Sequence, residues 1–92
     1  MITYVVQDAA QRAKPWASSR KVFISDAFEQ VRADGRDDGM SLDEFKRELV
    51  KLHRAGKIRL ARADLVAAMP TSKVAASETD AKGATFHFIE RT

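Results

Sequence analysis

The stretch SLDEFKRELVKLHRAGKIRL, from Ser41 to Leu60, decides how this chain folds. Leu42, Phe45, Leu49 and Leu52 recur at the three-to-four-residue spacing that puts apolar side chains on one side of a helix. Ser41 and Glu44 stand three apart, the spacing of a capping box, in which each side chain satisfies a backbone N–H of the first turn. Asp43 and Glu44 also sit where the helix dipole favours negative charge. Gly56 supplies the left-handed residue that ends a helix. Ile58 and Leu60 then alternate with Arg59 as in a half-buried strand. The unit is a helix, a glycine stop and a strand.

Just upstream, DGRDDGMSLDEF (Asp34 to Phe45) invites comparison with a calcium loop. A twelve-residue EF-hand loop needs side-chain ligands at positions 1, 3 and 5, glycine at 6 and a bidentate glutamate at 12. With Gly39 at position 6, position 3 is Arg36 and position 12 is Phe45. With Glu44 at position 12, Ala33 and Gly35 take positions 1 and 3. Neither register supplies the ligands, and Asp34 to Met40 reads instead as a polar loop feeding a helix.

The 92 residues suit one small domain, spanning 1–92, with one modest core. Hydrophobic residues make up 45%, and no apolar run approaches the length that spans a bilayer. Gln7 and Asp8 interrupt what would otherwise be an apolar opening segment, so a secretory leader is not expected. The absence of cysteine removes disulfides, thiol catalysis and cysteine zinc sites together, and a cytoplasmic protein is the default. The formal charge of +3 is unevenly placed. Residues 1–40 balance six basic against six acidic side chains, and residues 63–92 carry three against four. Residues 41–62 carry seven basic side chains against three acidic, a localised excess of the kind that binds polyanions.

Around that unit the remaining elements fall into place. Ile2, Val5, Val6, Ala9, Ala10 and Ala13 form the stripe of a first helix that Pro15 stops. Trp16 should pack back as a core or rim aromatic. KVFIS (Lys21–Ser25) reads as a short strand. Ser25 is then the expected N-cap of a second helix, with Asp26 in its first turn, Ala27, Phe28 and Val31 on its buried side, and an end near Ala33–Asp34. ATFHFIE (Ala84–Glu90) reads as one strand, with Phe86 and Phe88 on one face and Thr85, His87 and Ile89 on the other.

The order helix, short strand, helix, helix, strand, long connection, strand, with its helix–Ala55-Gly56-Lys57–strand junction, resembles the winged helix-turn-helix superfamily. The resemblance implies an α+β fold of three helices on a small antiparallel sheet. It also implies that the helix of residues 41–55 lies in the DNA major groove. The connection from Ala63 to Gly83 runs twenty-one residues, longer than a simple wing, with short helices expected in DLVAAM and VAASE. Minor-groove insertion by such a wing is not carried over. The run from KVFIS to ATFHFI also resembles segments of larger, poorly characterised bacterial proteins, which carry no function across.

Arg47, Lys51 and Arg54 follow the spacing of one helix face opposite the apolar stripe, and Lys57, Arg59 and Arg62 follow at the base of the wing. These six are the candidate nucleic-acid contacts, able to meet phosphates or guanine edges. A solvated face laced by Glu44–Arg47 and Glu48–Lys51 pairs explains the helical residues equally, and Glu48 would repel phosphate. His53 and His87 are the only histidines and lack metal-ligand spacing, so no metal or other cofactor is implied. His87 is expected at the surface or rim. No catalytic grouping emerges, since Ser25 and Ser41 serve as caps. Leu65, Val66 and Met69 are apolar residues in the insertion and form either a covered patch or a partner or dimer surface. The expectation is a non-catalytic binding module for duplex DNA. The alternative is a protein-interaction adaptor using the insertion, or a regulatory part of a larger protein.

Overall fold

The computed structural model describes residues 2–63, 66–81 and 83–91. Helix α1 (Ile2–Arg12) buries Val6, Ala9 and Ala10, with Ala13 just beyond it and Ile2 and Val5 half-buried on the same stripe. Pro15 follows, and a 3₁₀ turn at Trp16–Ser18 leads to strand β1 (Lys21–Phe23). Helices α2 (Ile24–Ala33) and α3 (Leu42–Arg54) pack on each other with the rings of Phe28 and Phe45 5.1 Å apart. Strand β2 (Leu60–Ala61) follows, then a 3₁₀ turn at Val66–Ala68, helix α4 (Thr71–Ser77) and strands β3 (Thr79–Ala81), β4 (Ala84–Phe86) and β5 (Phe88–Glu90). The fold is α+β, with four α-helices among the described residues and antiparallel strands.

The loop between α2 and α3 settles the reading of the acidic stretch. The side chain of Ser41 accepts from the Glu44 N–H at 3.1 Å, and the Glu44 carboxylate accepts from the Ser41 N–H at 2.9 Å. That capping box holds the Glu44 carboxyl below the usual range, chiefly through the bond from the Ser41 backbone. At the other end of the loop, Asp34 accepts hydrogen bonds from Arg12, which also holds Asp8 at 2.8 Å. The Arg12 bonds push the Asp34 carboxyl below its ordinary value. Both α2 and α3 close with a Schellman motif. Gly35 and Gly56, at φ 71° and 74°, let the next residue turn back, so that Arg36 donates to Val31 and Lys57 to Leu52. A side chain at either position would be strained in this left-handed conformation.

The strand order β1-β5-β2 makes a three-stranded antiparallel sheet, and β3 and β4 form a separate two-stranded hairpin. Alternation gives the main sheet two buried faces. Val22, Leu60 and Ile89 join the helical core with Ile24, Val31, Phe45, Leu49 and Leu52. On the other face Phe23 and Phe88 stack at 4.6 Å and Trp16 meets Phe23 edge-on at 5.8 Å. Trp16 is thus half-buried against the back of the sheet. The described part of the insertion covers that side, with α4 packing on α2 and β1.

Four expectations are corrected. Ser25 is not the N-cap of α2. Ile24 leaves the strand and starts the helix, because its N–H still bonds to the His87 carbonyl at 3.0 Å. The Ser25 N–H is instead satisfied by the fully buried Ser77 Oγ at 3.0 Å, supplied by the insertion. The segment 84–90 is also not one strand. It breaks at His87, whose N–H bonds to Ala61 and whose carbonyl accepts from Ile24, so β4 pairs with β3 while β5 enters the main sheet. His87 is consequently buried rather than on the rim, with no hydrogen-bond partner at Nδ1 among the described residues. Phe86 and Phe88 do not share a face: Phe86 packs on His53 at 5.0 Å, while Phe88 stacks on Phe23.

Candidate polyanion-binding surface

Helix α3 presents its outward side because its stripe is consumed by the core: Phe45 and Leu49 are completely buried and Leu52 nearly so. Arg47, Lys51 and Arg54 are all exposed, as the spacing predicts. Their surroundings differ. Lys51 pairs with Glu48 at 3.1 Å, one of the two pairs expected along this face. The other, Glu44 to Arg47, does not close, because Glu44 turns back to cap the helix. Arg47 and Arg54 make no ion pair among the described residues. Arg47 and Lys51 share a shallow depression of about 250 Å³ whose rim includes Asp38, Glu44 and Glu48.

On its other flank α3 faces the hairpin. Asp43, Lys46, Arg47 and Val50 line a groove of about 240 Å³ opposite Glu78, Thr79 and Asp80. The Thr85 hydroxyl donates to Asp80 at 2.8 Å, which fixes that carboxylate on the hairpin surface. Two basic side chains, Lys46 and Arg47, thus stand among three acidic ones, Asp43, Glu78 and Asp80, along this groove. The charge there is mixed.

Lys57 and Arg59 come together elsewhere, in an open cleft of about 500 Å³ at the α3–β2 junction that Arg20, His53, Glu90 and Arg91 also line. Arg59 is 79% exposed with Glu90 at 3.8 Å, too far for a good hydrogen bond. Arg62 is exposed beyond β2. The six predicted residues therefore divide into a helical group of three, a junction pair of Lys57 and Arg59, and Arg62 apart from both. Arg20 and Arg91, which join the second group, were not signalled locally. They flank β1 and β5, and only strand pairing carries them to Lys57. His53 belongs to the same wall through tertiary bonding: its Nδ1 accepts the Leu60 N–H at 3.2 Å, tying α3 to β2.

Of the proposed partner patch, Leu65 lies outside the described residues, Val66 starts a 3₁₀ turn, and Met69 is half-buried. Among the described residues no group of three or more His, Asp or Glu side chains could hold a metal ion, and no helix is long and apolar enough to cross a membrane. Neither a protein-family model, nor a curated protein, nor a solved structure matches this chain. The functional reading rests on geometry and charge.

Proposed function

We propose that this domain is a winged-helix, non-catalytic module that binds duplex DNA with α3 in the major groove. The observation carrying the reading is the pairing of topology with exposure. The order α1-β1-α2-α3-β2, with β5 returning between β1 and β2, is the order that places a helix like α3 on the outside of such a fold. That helix keeps Arg47 and Arg54 exposed and clear of ion pairs among the described residues. The hairpin β3–β4 takes the place of the wing, but its Asp80 and Glu78 favour a role beside the helix rather than in a minor groove.

The test is binding of mixed-sequence duplex DNA across a salt series. Affinity should fall steeply as salt rises, because each neutralised phosphate releases condensed counterions. Lys51→Glu should weaken binding strongly, and Glu48→Gln should strengthen it. Absence of duplex binding at low salt, or indifference to both substitutions, would overturn the reading.

The mixed charge of the α3–hairpin groove favours a second reading, in which the module docks a protein. This adaptor reading expects negligible DNA affinity and loss of a partner or dimer when Leu65 or Val66 is replaced by aspartate. Analytical ultracentrifugation of the variants beside the DNA assay separates the two.

A further inference from the structure

We infer that the cleft at the α3–β2 junction binds a phosphate dianion, independently of any duplex contact by α3. Among the described residues, four cationic side chains, Arg20, Lys57, Arg59 and Arg91, line it against the one carboxylate of Glu90. They differ in what else they do. Arg91 is committed to the end of α1, its Nε donating to the Ala10 carbonyl at 2.9 Å and its Nη2 to Ala13. Its positive charge offsets the negative end of that helix dipole, and its donors are largely spent. Arg20, by contrast, spends one donor on the Arg91 carbonyl at 3.3 Å, and neither it nor Lys57 makes an ion pair among the described residues. Arg59 has only the long contact to Glu90.

The C-terminal end of α3 also borders the cleft, and its dipole opposes an anion. Its effect is limited. The Gly56 and Lys57 N–H groups close back on the His53 and Leu52 carbonyls, and a helix terminus carries about half a charge. Helix ends would account for Lys57 and Arg91 as dipole partners. They do not account for Arg20 and Arg59, which stand on the approaches to two different strands. Cations gathered on opposing walls of a concavity raise the local potential, and a compact dianion relieves their mutual repulsion. Two guanidinium forks and an ammonium match the oxygens of a phosphate group, whether as inorganic phosphate or as a terminal monoester.

The intact domain should be titrated with inorganic phosphate against sodium chloride at matched ionic strength, following backbone amide chemical shifts. Saturable movement of Gly56, Lys57 and Arg59 specific to phosphate is expected. Arg20→Gln and Lys57→Gln should each weaken it by roughly tenfold, the scale of one lost charge-assisted bond. Both side chains are exposed, so melting temperatures should hold; should either variant unfold, Arg59→Gln carries the same expectation. Lys51→Glu, the variant that tests duplex binding, should leave the phosphate titration unchanged. Equal shifts in chloride, or variants that bind phosphate like the parent chain, would overturn the inference. A 5′-phosphorylated oligonucleotide compared with its unphosphorylated twin then identifies the source. Tighter binding of the phosphorylated strand points to a nucleic-acid end, and equal binding points to a free phosphate.

Discussion

The helix pair α2–α3 and the insertion carrying α4 are held in opposite ways. Three of the pair's four ends are closed by residues next to them in the chain: Gly35 ends α2, Ser41 and Glu44 start α3, and Gly56 ends it. Helix α4 has no side-chain cap at Pro70 and no acidic residue in its first turn. At seven residues it is too short to persist alone. It is held from outside, by Ser77 bonding to Ser25 and by Lys73 meeting Asp26 at 3.1 Å. The bonding is mutual, since the insertion gains a fixed position and α2 gains the cap its own sequence lacks. Local closure makes an element self-sufficient, whereas remote closure makes two elements depend on each other.

The largest effect should come from the centre of the pair. Phe45→Ala removes a fully buried ring packed on Phe28, at a cost of about 3–5 kcal/mol. That is a large part of the total stability of about 5–15 kcal/mol expected of a small domain. Denaturant titration should show loss of most or all of the cooperative transition. A variant keeping near-parental stability would show that the pair is not the centre of the core.

The two kinds of cap give a sharper contrast. Ser77→Ala strands the Ser25 N–H away from its acceptor and should cost about 1–3 kcal/mol, the penalty of an unsatisfied buried donor. Ser41→Ala removes an exposed local cap and should cost about 1 kcal/mol. Amide exchange at Ser25 should quicken only in the first variant. If Ser41→Ala proved the more damaging, the remote cap would be incidental.

The smallest effect concerns pH. Asp34 and Glu44 both titrate below their ordinary values when folded, through Arg12 and through the Ser41 backbone respectively. Their stabilisation is therefore complete above the unfolded values of about 3.9 and 4.3, and is lost as pH falls through the lower folded values. Melting temperature measured from about pH 6 down to pH 2 should decline in that acid window, and Asp34→Asn with Glu44→Gln should flatten the decline. Because both groups are partly solvated, the effect should be smaller than that of either cap substitution. An unchanged slope in the double variant would remove these two carboxylates from the acid response.

Much of the helical layer was legible in residue order. The α1 stripe ends where Pro15 requires, and α3 runs between the box and the glycine that announce it, because both signals act within a few residues. The start of α2 was misplaced by two positions, its N-cap being Phe23 rather than Ser25. Ser25 fits the local preference for a cap, but the bond between Ile24 and His87 outranks it. The candidate site divided in the same manner. Arg47, Lys51 and Arg54 share a helix face by spacing alone, whereas the meeting of Arg20 with Lys57 and Arg59 depends on which strands pair.

The three principal helices, their buried stripes, the glycine stops and the basic excess follow from residues a few positions apart, and so were set by residue order. The split of the run 84–90 at His87, the capping of α2 by Ser77 and the gathering of cations from separate segments along one cleft arose only on folding. The difference lies in the range of the interactions. A strand leaves its backbone groups to be satisfied by other segments, often far away in the chain, so its breaks and its neighbours are set by whichever partners reach those groups.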